Sequence, residues 1–163
     1  MRFYVKQKVF SLKDRFKILD EAENEAYQVS GKMFSFKNKL ELQDMNEKPL
    51  MRAEKKLFSF FPTYFLFDLQ GNKIATVKKK FGLRANFMIT IGNEILDVDG
   101  SLFGYNFSVF RNGSAVVTIS KKVISLGDSY EIDILDEREI DLYLFLVIII
   151  DQVLHEQKNK AND

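Results

Sequence analysis

Cysteine and tryptophan are absent from this chain and histidine occurs once, and these absences exclude several kinds of site. Without cysteine the chain can form no disulfide, no thiolate metal site and no cysteine nucleophile. One histidine, His155, cannot supply the several ligands of a histidine-based metal centre. It also lies in a polar tail, which would hold a catalytic base poorly in position. We therefore expect a protein that is not an enzyme and that uses no metal and no cofactor.

Continuous apolar segments are also short. The run between Asp141 and Asp151 contains nine residues whose only polar group is the Tyr143 hydroxyl. A membrane-spanning helix needs about 20 apolar residues, so we expect no transmembrane segment. The N-terminal residues alternate in polarity, unlike the apolar segment of a signal peptide. These features predict a cytoplasmic protein that is at most peripheral to a membrane.

The composition is that of a folded domain. With 46% hydrophobic residues, among them 16 phenylalanines, the 163 residues can bury a substantial core, and we expect residues 1–163 to form one domain. The 24 basic and 23 acidic residues leave a net charge of +1. Because the total is nearly neutral and no nucleic-acid-binding motif is present, nucleic acid is not an expected partner.

Six similar heptapeptides recur along the chain at intervals of 20 to 24 residues. They are FSLKDRF from Phe10, FSFKNKL from Phe34, FSFFPTY from Phe58, FGLRANF from Phe81, SLFGYNF from Ser101 and ISLGDSY from Ile124. Counted from each start, the third, seventh and ninth positions are large and apolar in every unit. Apolar residues also recur five and seven positions before most starts. Alternation with a period of two is typical of a strand with one buried face, so each unit predicts two strands joined by a turn.

Twelve antiparallel strands, each with one buried face, predict a mainly β protein in which residues 1–135 form a closed barrel. Closure leaves no edge that could pair with other chains. Twelve strands enclose an interior too wide for the side chains of the wall to fill. A further element must therefore lie inside.

The apolar run near the C-terminus predicts that element. Asp136 can cap a helix, with Glu139 three residues later as in a capping box. We expect a central hydrophobic helix over about 137–154, followed by a polar tail at 155–163. A helix that is apolar on every side must be buried on every side. A thirteenth strand over Leu144–Ile150 is the alternative, which the lack of alternation disfavours.

The recurring FSLxD-type turns, the opening RFYVKQKVFSLKDRFKILD and the terminal LVIIID resemble the LURP-one-related family from Arg2 to Asp151. The resemblance implies the Tubby C-terminal fold, a twelve-stranded barrel around a central hydrophobic helix, with phospholipid scramblases as distant relatives. Tubby domains bind phosphoinositides and scramblases act on lipids, so the resemblance implies phospholipid binding by analogy of fold. No headgroup-binding residue of Tubby is carried over to this sequence.

Lysine stands two residues before the heptapeptide in five of the six units. These positions have the opposite parity to Val5, Val29 and Ile119, which predicts that the lysines point outward. Further lysines adjoin them. The predicted anion-binding belt comprises Lys6, Lys8, Lys32, Lys55, Lys56, Lys78, Lys79, Lys80, Lys121 and Lys122. Acidic residues collect in the turns at the opposite end, so the barrel should be electrically polar along its axis.

The belt permits two interpretations. In the first, the protein is a non-enzymatic binding module that docks on anionic phospholipid headgroups, each lysine contributing about 1 kcal/mol. In the second, the lysines only keep the sheet soluble. The protein is then a soluble scaffold for a protein partner or a small apolar ligand.

Two further features of the lysine-rich end have alternative roles. We expect the turn phenylalanines to close the barrel over its core, the alternative being that they dip into lipid or a ligand. This group comprises Phe34, Phe36, Phe58, Phe60 and Phe61. Asp151 ends the apolar run near the belt, where we expect it to pair with a lysine or arginine; the alternative is that it shapes a polar mouth.

Overall fold

The computed structural model describes residues 1–6, 15–31, 39–81, 86–124 and 127–161. Over these residues the chain forms the strands β1 (Arg2–Lys6), β2 (Arg15–Leu19), β3 (Glu25–Gly31), β4 (Lys39–Asp44), β5 (Pro49–Lys55), β6 (Thr63–Phe67), β7 (Lys73–Lys79), β8 (Phe87–Ile91), β9 (Glu94–Ser101), β10 (Asn106–Arg111), β11 (Ser114–Ile124) and β12 (Gly127–Ile134). Each strand pairs antiparallel with its neighbours in sequence, and β1 also pairs with β12. The sheet therefore closes, and the predicted twelve-stranded antiparallel barrel is confirmed.

The repeat correctly identifies most of the side chains that fill the barrel. The ninth-position residues, none more than 1% exposed, are Ile18, Leu42, Leu66, Ile89, Val109 and Ile132. The seventh-position residues Leu40, Tyr64, Phe87, Phe107 and Tyr130 are buried as well. Both sets lie near the start of an even-numbered strand, where alternation directs every second side chain inward.

The fourth unit departs from the others by one residue. Ala75 and Val77 are buried in β7, whereas Thr76, which the repeat assigns to the interior, is only partly buried. Lys55 pairs with Tyr64 in the third unit and Lys79 with Phe87 in the fourth, so the fourth loop is one residue shorter. A shift of one residue exchanges the two faces of a strand. Lys79 therefore has the inward parity, and its predicted outward direction is wrong.

Three of the turns at the end opposite the lysines share one construction. They begin at Asp20, Asp44 and Asp68, and their fourth residues, Glu23, Glu47 and Gly71, are left-handed with φ of 61°, 61° and 87°. In each turn the aspartate Oδ1 accepts the backbone N–H of the residue four positions later, at 2.8 to 3.0 Å. This Asx-type bonding stabilises the turn and places a carboxylate at its base.

The helix α1 spans Ile140–Ala161 and follows a 3-10 turn at Glu137–Glu139. Residues 142–150 are at most 5% exposed, which confirms the central helix and excludes a thirteenth strand. Asp136 caps the 3-10 turn by accepting the Arg138 N–H at 3.3 Å, as predicted, whereas Glu139 bonds to Arg111 and completes no capping box. Among the described residues no helix is long and apolar enough to cross a membrane.

The predicted boundary between helix and tail is wrong. The helix continues through His155 to Ala161 instead of ending near 154. The residues 155–161 contain neither glycine nor proline, so nothing in the backbone requires a stop. Glu156, in the first turn beyond the apolar run, is also held by side chains of the barrel wall.

Candidate functional site

The two ends of the barrel carry opposite charges. The acidic end collects the turns at Asp20, Asp44 and Asp68 together with Glu94 and the start of α1. The opposite end, here called the lysine end, is where odd-numbered strands finish and even-numbered strands begin, with lysines in the last residues of β5, β7 and β11. Helix α1 runs from the acidic end to the lysine end, so its dipole favours both sets of charges.

The predicted lysines do not form one continuous group. Five lie together across β6, because the Lys56 N–H donates to the Thr63 carbonyl at 2.8 Å and the Lys79 N–H donates to the Pro62 carbonyl at 3.0 Å. The strands β5 and β7 that flank β6 are about 10 Å apart. This group, here called the lysine cluster, comprises Lys55, Lys56, Lys78, Lys79 and Lys80.

The other predicted lysines lie apart from the cluster. Lys121 and Lys122 are in β11, separated from β7 by three intervening strands. Lys122 forms an ion pair with Glu131 at 3.4 Å across β11 and β12. Lys6 ends β1 opposite Ser129. Lys8 and Lys32 lie outside the described residues.

Members of the cluster differ in what they contact. Lys55 has the inward parity of the buried Ala53, and its Nζ lies 2.5 Å from Oε2 of Glu156 on α1. Lys56, Lys78 and Lys80 are exposed, and burial lowers the pKa of the half-buried Lys79. Within the described part of the chain, these four lysines form no ion pair. The charges of Lys56, Lys78 and Lys80 thus face solvent, whereas the charge of Lys55 pairs with Glu156 on α1.

Lys55→Met should therefore destabilise the protein more than Lys56→Met. Losing Lys55 removes a cation that pairs with Glu156, whose side chain is only 17% exposed. We expect a decrease of about 1–2 kcal/mol in the free energy of unfolding for Lys55→Met and less than about 0.5 kcal/mol for the exposed Lys56→Met. Thermal melting followed by circular dichroism measures both. Equal melting temperatures would contradict a structural role for Lys55.

Exposed phenylalanines adjoin the lysine cluster. Phe58, Phe60 and Phe81 are 97%, 100% and 88% exposed, so the prediction that Phe58 and Phe60 close the barrel is wrong. Phe61 is half-buried, with its ring centroid 6.2 Å from that of Phe60 and 6.0 Å from that of Phe81. Phe34 and Phe36 lie outside the described residues. These four rings at the lysine end, Phe58, Phe60, Phe61 and Phe81, are here called the aromatic tip.

The sequence and the fold can be compared with those of known proteins. The sequence profile of the LURP-one-related family matches residues 1–151. This protein belongs to the LURP-one-related family. It is 32% identical to the uncharacterized protein YxjI of Bacillus subtilis (strain 168) over 162 residues, which cover 99% of this chain and 98% of that protein. An X-ray structure of an Arabidopsis thaliana protein shares the fold with a TM-score of 0.65 at 16% identity, covering 92% of this chain and 90% of that one.

In this LURP-one-related protein the C-terminal half of α1 carries a buried carboxylate. Asp151 is 4% exposed and accepts hydrogen bonds from the hydroxyls of Tyr105 at 2.6 Å and Tyr130 at 3.3 Å. The two tyrosine rings stack with centroids 5.0 Å apart. Burial, followed by the charge of Asp151, raises the pKa of Tyr130 well above its ordinary value. The partners of Asp151 thus include two tyrosine hydroxyls, and its predicted pairing with a lysine or arginine stays a prediction.

The N-terminal half of α1 is joined to the wall by a second polar group. The Arg111 guanidinium donates to Glu94 Oε2 at 2.6 Å, to Glu139 and to the Tyr143 hydroxyl at 3.1 Å. The hydrogen bonds with Tyr143, Glu94 and Glu139 raise the pKa of Arg111. Together with Asp151 and Glu156, these contacts attach both ends of the helix to the barrel. No periodicity indicates them, because each joins residues far apart in sequence.

An open depression of about 700 Å³ at the acidic end is bordered by Met51, Ile74 and the first turn of α1. Beside Asp151 the interior has no space for a water molecule. The described residues include no group of three or more acidic or histidine side chains that could hold a metal ion. At the lysine end the described residues place exposed ammonium groups next to exposed phenylalanine rings.

Proposed function

We propose that this protein is a non-enzymatic binding module that attaches peripherally to anionic phospholipid surfaces through the lysine end of its barrel. The observation that carries the proposal is the grouping of Lys56, Lys78, Lys79 and Lys80 across β6 without ion pairs among the described residues. A soluble sheet needs lysines on its outer face, but it does not need them gathered at one rim. The cytoplasmic leaflet, which carries anionic lipid, is the expected surface.

The expected affinity is modest and reversible. Each basic residue close to an anionic membrane contributes about 1 kcal/mol, so four contribute about 4 kcal/mol. This free energy corresponds to a dissociation constant of about 1 mM on its own. Electrostatic attachment of this strength should weaken as salt shortens the Debye length from about 10 Å at 0.1 M to about 3 Å at 1 M.

Replacement of three exposed cluster lysines tests the proposal. We expect Lys56→Gln, Lys78→Gln and Lys80→Gln together to weaken binding to vesicles of phosphatidylcholine and phosphatidylglycerol by about a hundredfold, since about 3 kcal/mol is lost. Co-sedimentation at low and high salt, with phosphatidylcholine vesicles as the neutral reference, measures the change. The melting temperature should change little, because exposed charges contribute little to stability.

A matched variant controls for net charge. Lys17→Gln, Lys48→Gln and Lys73→Gln remove the same charge from exposed positions away from the lysine end. This variant should bind anionic vesicles nearly as well as the wild type. If both variants lose binding equally, net charge rather than the cluster is responsible. If the wild-type protein does not bind anionic vesicles even at low salt, the lysines serve solubility and the protein is a scaffold for another partner.

A further inference from the structure

The aromatic tip is too exposed to be explained by the barrel core. Phe60 is 100% exposed and Phe58 97% exposed, in a loop that also exposes 38% of Leu57. Phe81, 88% exposed, extends the same apolar surface from the loop after β7. Soluble proteins rarely expose contiguous apolar patches of several large side chains, and such patches commonly mark interaction surfaces. The tip therefore requires an occupant.

The loop that carries the tip is held in place by hydrogen bonds. The Thr63 hydroxyl donates to the Phe61 carbonyl at 3.0 Å and lies 3.3 Å from the Ser59 hydroxyl. Phe58 has a left-handed backbone with φ of 55°, which is rare for a bulky residue and strained. These contacts present the rings to solvent, whereas a freely collapsing loop would fold them back against the wall.

Charge around the tip identifies the occupant. Lys56 precedes Leu57 and Lys80 precedes Phe81, so each apolar segment starts next to a cation without an ion pair in the described residues. An interface that offers phosphate oxygens at one depth and hydrocarbon just below fits this arrangement, because lysine stems can cross apolar surface while the ammonium groups stay with the headgroups. A bilayer has that layering.

We propose that Phe58, Phe60 and Phe81 insert into the acyl boundary of an anionic bilayer while Lys56, Lys78 and Lys80 bind the phosphates above it. This inference rests on the proposed function and extends it from electrostatic attachment to insertion. Insertion adds an apolar contribution that salt does not screen. A soluble polyanion would satisfy the lysines and leave the rings in water, so insertion also selects lipid over nucleic acid.

The absence of tryptophan allows a direct test. Phe60→Trp makes a single-tryptophan protein with the reporter at the tip, and Leu69→Trp places it in the turn at the acidic end, where Leu69 is 44% exposed. With vesicles of phosphatidylcholine and phosphatidylglycerol, Phe60→Trp emission should shift to the blue and be quenched by brominated acyl chains. Leu69→Trp emission should stay that of an exposed indole and remain unquenched.

A second variant measures the contribution of the rings to affinity. Phe60→Ser with Phe81→Ser should weaken vesicle binding at least tenfold without lowering the melting temperature, and the remaining binding should be abolished by high salt. Binding of the wild-type protein should persist in part at the same salt concentration. Unchanged affinity of the serine variant would overturn insertion.

The outcomes separate insertion from attachment. If Phe60→Trp sediments with anionic vesicles but its emission is neither shifted nor quenched, insertion is wrong while the proposed function stands. If the protein does not sediment with vesicles, both are wrong. Emission that is already blue-shifted without lipid, and that depends on protein concentration, would mean that a second protein surface covers the tip and would overturn insertion.

Discussion

Ile148→Asp is expected to prevent folding. Ile148 is 1% exposed at the centre of α1, within the stretch 142–150 that the barrel encloses on all sides. Loss of the isoleucine side chain removes roughly 2–5 kcal/mol of packing. Burial of a carboxyl group that has no hydrogen-bonding partner adds several kcal/mol of destabilisation, whether the group is ionised or neutral. The sum is comparable with the 5–15 kcal/mol by which domains of this kind are ordinarily stable.

Ile95→Asp is the matched control. Ile95 is 58% exposed on the outer face of β9, so the same chemical change meets solvent there. We expect its free energy of unfolding to change by less than about 1 kcal/mol. Soluble yield and circular dichroism melting distinguish the two variants. A soluble Ile148→Asp protein that melts cooperatively near the wild-type temperature would mean that the helix is not the core of the barrel.

Gly100→Ala is expected to be the second most damaging change. Gly100 lies in β9 with φ of +120°, a backbone region that L side chains rarely adopt. A Cβ at this position would stand 2.6 Å from the Asn106 carbonyl oxygen and 2.7 Å from Phe107 Cα, both backbone atoms of the paired strand β10. Backbone strain of about 1–2 kcal/mol and overpacking of about 1–3 kcal/mol combine to roughly 3 kcal/mol.

Gly71→Ala separates strain from collision. Gly71 also has positive φ, +87°, but a Cβ there would meet no atom within 4 Å. We expect Gly71→Ala to lower the free energy of unfolding by about 1 kcal/mol, against roughly 3 kcal/mol for Gly100→Ala. At about 2–4 °C per kcal/mol for a chain of this size, the melting temperatures should differ by roughly 4–8 °C. Equal losses in the two variants would show that the β9–β10 pair yields to the extra methyl group.

Much of the fold follows from side-chain alternation alone. The residue at the ninth position of the repeat is buried in all six units, from Ile18 to Ile132. A strand with one solvent-exposed face directs every second side chain to the core. Six such pairs predict twelve strands, and the apolar run at 142–150 predicts a buried helix. These inferences need only local periodicity and the requirement that apolar surface be removed from water.

The candidate site is only partly predictable in this way. The repeat correctly places lysines at one end of the barrel, but it cannot show which of them come together across β6. Loop length decides that Lys79 faces inward, and a one-residue difference between loops leaves the spacing of the motifs almost unchanged. The sequence likewise predicts that Lys55 is another surface lysine. In the structure its Nζ lies 2.5 Å from Oε2 of Glu156 on α1.

The sequence by itself therefore determined the number of strands, the closed barrel, the buried helix and the segregation of charge along the axis. All four depend on patterns between near neighbours and on the burial of apolar area. Only the tertiary structure decided that Phe58 and Phe60 face solvent, because period-two parity ends where the chain leaves the sheet and turns through Pro62. It also decided how the wall holds Asp151 and Glu156, since hydrogen bonds between residues 21 to 101 positions apart depend on how the barrel closes around the helix.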